Sequence, residues 1–297
     1  MRMGSSITVR ALELGAGPPG DGQLPVPPVL HANHTAALAM VIALYAGFAA
    51  AVVFSIVKLM RRDPLPVVLL VAGFIACQME PLGDYVGFIV YAPDIPYFHW
   101  WVMGRQMPSF ILVGLVAYLV FGGYYAFRLI DRGASIARVA FVSAVVVGIP
   151  EVVMEMLWRH WGIISYYGAN PTRILGVPLY SIVQNSALLP VLGVTIFVAV
   201  RYLPGVKLLW LIPAIPGVTI GYIVGTTWVA YQAIGSSAPA AVVWFGALYS
   251  CVTAVAAAYA LLRLPIVRER RATRSAPLGA EPRPAAEGAA LADGATR

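Results

Sequence analysis

Charge is what this chain has least of. Asp, Glu, Lys and Arg together make up 11% of its 297 residues, against about 25% in an ordinary soluble domain. Hydrophobic residues make up 60%, and the mean hydropathy is +0.80. A water-soluble fold has nowhere to bury so much apolar surface. Cysteine is also scarce. Cys77 and Cys251 both lie in apolar runs, with no CxxC and no zinc spacing, so free packing thiols are expected. There are four histidines, and His31 and His34 precede the first apolar run. That supply is too small for a membrane di-iron centre, and neither metal nor cofactor is expected. The N-terminal stretch GAGPPGDGQLPVPP, residues 15–28, lacks the apolar core of a secretory signal. No internal repeat is visible. The net charge of +7 resides between apolar runs and in the tail. It therefore reads as membrane topology, and no nucleic-acid partner is expected.

What is present is a series of long apolar runs. Seven are each long enough to cross a bilayer, near 36–60, 65–91, 107–130, 136–158, 178–200, 208–231 and 239–262. The expected fold is all-α, a polytopic membrane helix bundle over residues 35–264. A flexible Gly/Pro-rich segment, 1–34, precedes it, and a disordered basic, Ala/Pro-rich tail, 265–297, follows. Lys and Arg set the orientation. Lys58, Arg61 and Arg62, then Arg128, Arg132 and Arg138, then Arg201 and Lys207, fall in one set of loops, with the basic tail. The alternate loops hold only Arg105, Arg159 and Arg173. The C-terminus is thus expected in the cytoplasm and the N-terminus outside, in a multi-pass protein of the cell membrane with the lipid bilayer as its first partner. Oligomeric state is not legible.

Four acids interrupt the apolar runs: Glu80 and Asp84 in the second, Glu151 and Glu155 in the fourth. Each pair is spaced i, i+4, so its members share one helix face about 6 Å apart along the axis. Pro81 and Gly83 within the first pair are expected to kink or unwind the helix there, and Pro150 beside the second pair to act similarly. Glu80 and Glu151 each lie about fifteen residues into an outward-running span, roughly two-thirds of the way across at 1.5 Å per residue. Two acidic pairs at one depth can face one cavity. Acids in a membrane span are functional candidates by default. The competing structural reading is an ion pair with Arg105 or Arg159, or a neutral acid bonded to backbone freed by Pro81.

Polar groups accumulate in the same half. The stretch HWWVMGRQ offers His99, Trp100 and Arg105 as substrate-binding groups; it reads equally as an interfacial aromatic belt with an anchoring arginine. Tyr166 and Tyr167 could donate hydrogen bonds to substrate oxygens or pack at the interface before an Asn-Pro turn. Tyr180, Asn185 and Thr227 complete the candidate binding set, while Gln184 and Asn185 also suit helix-to-helix hydrogen bonds.

The combination EPLGDY at 80–85, HWWVMG at 99–104, GIPEVVMEMLW at 148–158 and YYGANP at 166–171 resembles the spirocyclase AveC family. These are actinobacterial integral membrane proteins of secondary metabolism, the best-known of which acts in avermectin biosynthesis. The resemblance covers about 35–262. It implies closure of a spiroketal from a lipophilic polyketide ketone bearing two hydroxyls, with dehydration as an accompanying reaction and no cofactor. The catalytic assignment is this chain's own: Glu80/Asp84 and Glu151/Glu155 as two acid/base units, the deeper Glu80 and Glu151 neutral, Asp84 and Glu155 ionised. Tyr166, Asn185 and Arg105 would orient oxygens. Two other classes fit the same residues. An intramembrane terpenoid cyclase would use a buried acid and aromatic walls. A proton-coupled small-molecule transporter would use the acids as a relay.

Overall fold

The structure, a computed structural model, describes residues 24–236 and 238–275. Among the described residues seven helices are long and apolar enough to cross a membrane: α1 (His34–Met60), α2 (Leu65–Val86), α3 (Ser109–Asp131), α4 (Ile136–His160), α5 (Leu179–Tyr202), α6 (Gly205–Gly235) and α7 (Ala240–Leu262). Local signals set their starts. The Asn33 side chain accepts from the Ala36 N–H at the head of α1, and Ser135 accepts from Arg138 N–H at the head of α4. Pro64 and Pro239, which have no N–H to leave unpaired, precede α2 and α7. Large apolar side chains such as Phe141, Phe245 and Val252 face outward with about two-thirds of their surface exposed. Such a surface suits lipid and not water.

α5 is the most enclosed helix. It packs on α3 and α7, while α6 packs on α2 and α7, and α1 leans on α2 and α3. At Gly193 of α5 the backbone comes so close to Ala126 of α3 that an added Cβ would lie 2.8 Å from the Ala126 Cβ. Cys77 is buried against this core and Cys251 is half-buried; both are free thiols.

Two expectations about prolines part company. α2 runs unbroken through Pro81 to Val86, so the expected unwinding at 81–83 is not seen. Pro81 deletes one backbone hydrogen bond, but in apolar surroundings the remaining groups have no partners except each other, and the helix persists. In α4 the disturbance is real and lies ahead of the proline: Ala144–Gly148 widens into a π turn immediately before Pro150. A second π turn, Tyr118–Gly123, interrupts α3.

The loops α2–α3 and α4–α5 are more ordered than the sequence suggests. α2 stops at Val86, not near 91, and Ile89–Tyr91 forms β1, which pairs antiparallel with β4 (Ile164–Tyr166) of the other loop. β2 (His99–Val102) and β3 (Arg105–Pro108) form a hairpin with a two-residue turn, Met103 at φ 52° and Gly104 at φ 72°. β5 (Arg173–Ile174) and β6 (Val177–Pro178) repeat the device with Leu175 and Gly176. Positive φ at both central residues is the type I′ geometry that matches strand twist. These hairpins gather at one end of the bundle.

The N-terminal segment meets the same end. Asn33 N–H donates to the Trp161 carbonyl at 2.8 Å, and Ala32 N–H to Asp94 at 2.9 Å. At the opposite end, the first part of the tail expected to be disordered is ordered. α8 (Pro265–Ser275) is helical, and Arg270 grips Asp131 at 2.7 Å through both its carboxylate and its carbonyl. A charged, amphipathic run held by a paired arginine gains what its composition alone would not supply. The rest of the expected flexible and disordered segments, residues 1–23 and 276–297, lies outside the described residues.

Candidate functional site

The shared depth of the two acidic pairs becomes a shared cavity. α2 presents Glu80 and Asp84, and α4 presents Glu151 and Glu155, to one cavity of about 750 Å³. A side pocket of about 110 Å³ touches all four acids as well. The carboxylates are near enough to act on one another electrostatically: Glu80 on Asp84, Glu151 and Glu155, and Glu155 on Asp84 and Glu151. Asp84 is 3% exposed, and its Oδ2, like Glu151 Oε2, has no hydrogen-bond partner among the described residues. None of the four makes an ion pair among the described residues. The structural alternative, pairing with Arg105 or Arg159, is therefore not what holds them.

Three tyrosines complete the polar lining. Tyr166 of β4 donates to Glu155 Oε1 at 3.0 Å and lies 3.3 Å from Ser181 Oγ. Tyr91 of β1 lies against Asp84. Tyr118, in the π turn of α3, donates to the Asn185 carbonyl at 3.4 Å. Burial first, and then the adjacent carboxylates, hold the Tyr91 and Tyr166 hydroxyls protonated well above the usual phenol range. Both are thus permanent donors beside acids. The β1–β4 pairing sets them side by side across two loops, since Ile89 pairs with Tyr166 and Tyr91 with Ile164. The remaining walls are apolar and aromatic, as in most small-molecule sites. Among the described residues the one basic side chain lining this cavity is Lys58, at the opposite end, where its Nζ is 3.2 Å from Tyr124 Oη and 4.0 Å from Asp63. Among the described residues no three His, Cys, Asp or Glu side chains come together to hold a metal ion.

The expected binding residues divide. Tyr166 lines the main cavity and Asn185 the side pocket. Arg105 does neither. Its guanidinium donates to the carbonyls of Asp84 (3.5 Å) and Ile89 (3.0 Å) and to the Tyr167 hydroxyl, and stands 4.5 Å from the Tyr85 ring centre. It closes the C-terminal end of α2, where backbone carbonyls lack helical partners. His99 and Trp100 belong to the β2–β3 hairpin. Trp100 packs in the apolar cluster beneath it, and neither residue lines either acid-bearing cavity. Thr227 is fully buried and receives the Gln184 amide at 2.5 Å, a bond between α5 and α6. Tyr180 packs edge-on to Tyr231, with ring centres 5.9 Å apart, and lines neither acid-bearing cavity. Tyr91, Tyr118 and Ser181 were not expected at the site. Tyr91 reads as the end of an apolar run, and its strand partner, Ile164, lies 73 residues away in sequence (164 − 91).

No protein-family model, no curated protein and no solved structure matches this chain.

Proposed function

We propose that this chain is a multi-pass cell-membrane enzyme, a cofactor-independent spirocyclase. It closes a spiroketal from a dihydroxyketone polyketide by carboxylate general acid/base catalysis. The single observation that carries the reading is the convergence of four carboxylates and three tyrosine hydroxyls on one apolar-walled cavity, with its only cation at the far end. The substrate class rests on the family resemblance in the sequence motifs. The chemistry runs in balanced steps. One hydroxyl adds to the ketone and gives a hemiketal. A neutral carboxylic acid, Glu80 or Glu151, protonates the hemiketal hydroxyl, which leaves as water. An ionised partner, Asp84 or Glu155, stabilises the oxocarbenium ion. The second hydroxyl attacks, and the carboxylate left by the first step takes its proton. The net change is loss of one water and regeneration of the acid.

Each carboxylate assigned the ionised role has a tyrosine hydroxyl against it, Tyr91 at Asp84 and Tyr166 at Glu155. Those donors fix the carboxylate orientations. Spiroketals also close without a catalyst, so cavity shape contributes as much by selecting one face of the cation as by rate.

The test uses purified protein in nanodiscs, wild type and the Glu80→Gln and Glu151→Gln variants, with a dihydroxyketone polyketide and chiral chromatography. Wild type should give one stereoisomer. Loss of a general acid should slow it by roughly 10²–10⁴-fold in a folded variant. A wild-type product profile identical to the protein-free control would sink the substrate assignment. Gln variants as active as wild type would show that the acids are structural.

A further inference from the structure

The walls of the cavity are unequal. α2 and α5 each pack against α3 and against the rest of the bundle, whereas α1 leans on α2 and α3, and α4 leans on α5. The cavity lies in the space between α1 and α4, and several of its lining side chains are also open to the outside: Val146 is 56% exposed, Tyr125 46% and Met154 37%. A side chain that both lines a cavity and faces outward marks its mouth. A second groove, about 830 Å³, runs along the same seam toward the head of α1. It shares Leu44, Gly114, Ala117, Met154 and Trp158 with the first cavity. Its α1 wall includes Ala36, Ala39, Ala43 and Gly47, small residues on one helical face, beside Met40 and Leu44. At the floor of the first cavity, by contrast, sits a buried polar group without a partner among the described residues, Asp84 Oδ2.

The seam also has a length. From Leu44 to Lys58 the lining of α1 spans fourteen residue steps (58 − 44), roughly 21 Å at 1.5 Å per residue. That is about two-thirds of a hydrocarbon core of about 30 Å. All of it lies in helices that are apolar enough to cross a membrane.

We infer that the gap between α1 and α4 is a lateral portal, through which an elongated lipophilic substrate dissolved in the bilayer enters the carboxylate cavity side-on past Gly114. The inference rests on the membrane setting and on the carboxylate cavity being the substrate site, as proposed above. It adds the substrate's source and shape. A molecule entering this way keeps its apolar length in a hydrocarbon-like environment throughout, and exchanges lipid for Leu, Val, Phe and Met side chains. Only its oxygen-bearing end meets polar groups. Entry from water would require the same chain to be solvated first, at about 25 cal/mol for each Å² of apolar surface.

Gly114 makes the portal testable. It lines both cavities, and a Cβ placed there meets nothing within 4 Å. A side chain at this position starts out in open space. Gly217 of α6 is equally open, but it is exposed on another face of the bundle. The experiment reconstitutes wild type, Gly114→Trp and Gly217→Trp in nanodiscs containing a long-chain alcohol that bears a diazirine. After irradiation, peptides are mapped by mass spectrometry and melting temperatures are compared. Wild type and Gly217→Trp should carry label on the cavity faces of α3 and α4, and in Gly114→Trp that label should fall to background with melting unchanged. Cavity label persisting in folded Gly114→Trp would overturn the portal while leaving the acid/base reading intact. Wild type labelled only on its outer, lipid-facing side chains would overturn access from the bilayer. Failure of the catalytic reading would show separately, in the product assay with Glu80→Gln and Glu151→Gln. Should Gly114→Trp melt lower, Ala117→Phe, at the same junction, provides the second block and is judged by the same outcomes.

Discussion

Gln184→Leu tests how the half of the bundle behind the acids is held. The Gln184 amide donates to the Ile223 carbonyl at 2.7 Å, to Thr226 Oγ1 at 3.2 Å and to Thr227 Oγ1 at 2.5 Å. Three acceptors on α6 share the two N–H groups of one α5 amide, so their loss is not that of three full hydrogen bonds. Interhelical bonds in membrane proteins average roughly 0.6 kcal/mol each, because the separated helices find other partners, so the sum is about 2 kcal/mol. Thr226 keeps its own bond to the Tyr222 carbonyl at 2.7 Å. Thr227 loses its short donor and retains a contact of 3.5 Å with Thr226 and its contact with Tyr231. The coupling should therefore concentrate in the Gln184–Thr227 pair. Reversible unfolding of wild type, Gln184→Leu, Thr227→Val and the double variant in mixed micelles measures it. The expected single-variant loss is about 2 kcal/mol, and the coupling about 0.6–1.7 kcal/mol. A coupling of zero would refute the assignment of Thr227 as a structural residue and return it to the candidate binding set.

Two further outcomes follow from packing and from titration. Gly193→Leu should destabilise the bundle by about 1–3 kcal/mol or more through overpacking, because a Cβ there meets Ala126 at 2.8 Å and Ile130 at 3.0 Å; an unchanged melting temperature would mean that α3 and α5 separate at little cost. His99 is held below its ordinary pKa by burial, with Asp94 opposing in part. The folded hairpin thus binds the proton less tightly than the unfolded chain, a difference without cost above about pH 6.5 and destabilising as pH falls below it. Hydrogen exchange of the β2–β3 amides, corrected for intrinsic rates, should show protection declining below that pH in wild type but not in His99→Gln; equal profiles would locate the titrating group elsewhere.

The carboxylate cluster was legible because the signals that predict it are local and additive. Spacing of i, i+4 fixes a face, and counting residues from each span's start fixes a depth. Two helices with acids at one depth then needed only to be neighbours of one cavity, and they are. The binding residues were less legible because sequence shows a side chain's charge but not which backbone groups lack partners. Arg105 was expected to orient substrate oxygens; instead it orients on the carbonyls left open where α2 ends. HWWVMGRQ suggested a belt or a binding loop. Its hairpin turn is Met-Gly, without the Asn-Gly or Asp-Gly that usually announces type I′ geometry. Tyr91 entered the site through a strand pairing between distant loops, and no periodicity within either loop encodes that contact.

The site is thereby divided between a firm half and a loose one. Asp84 and Glu80 ride on α2, which is packed along α6, and Tyr91 and Tyr166 are locked by the β1–β4 ladder. Glu151 and Glu155 ride on α4, where only 17% of the apolar window is buried, against 67% for α5. A π turn sits immediately before them. A helix with little buried surface is displaced at lower cost than one locked in the core, and a π turn is a common place for such a helix to yield. The α1–α4 seam thus borders the less enclosed of the two acid-bearing helices, with Gly114 at its edge and the carboxylates at the floor of the cavity behind it.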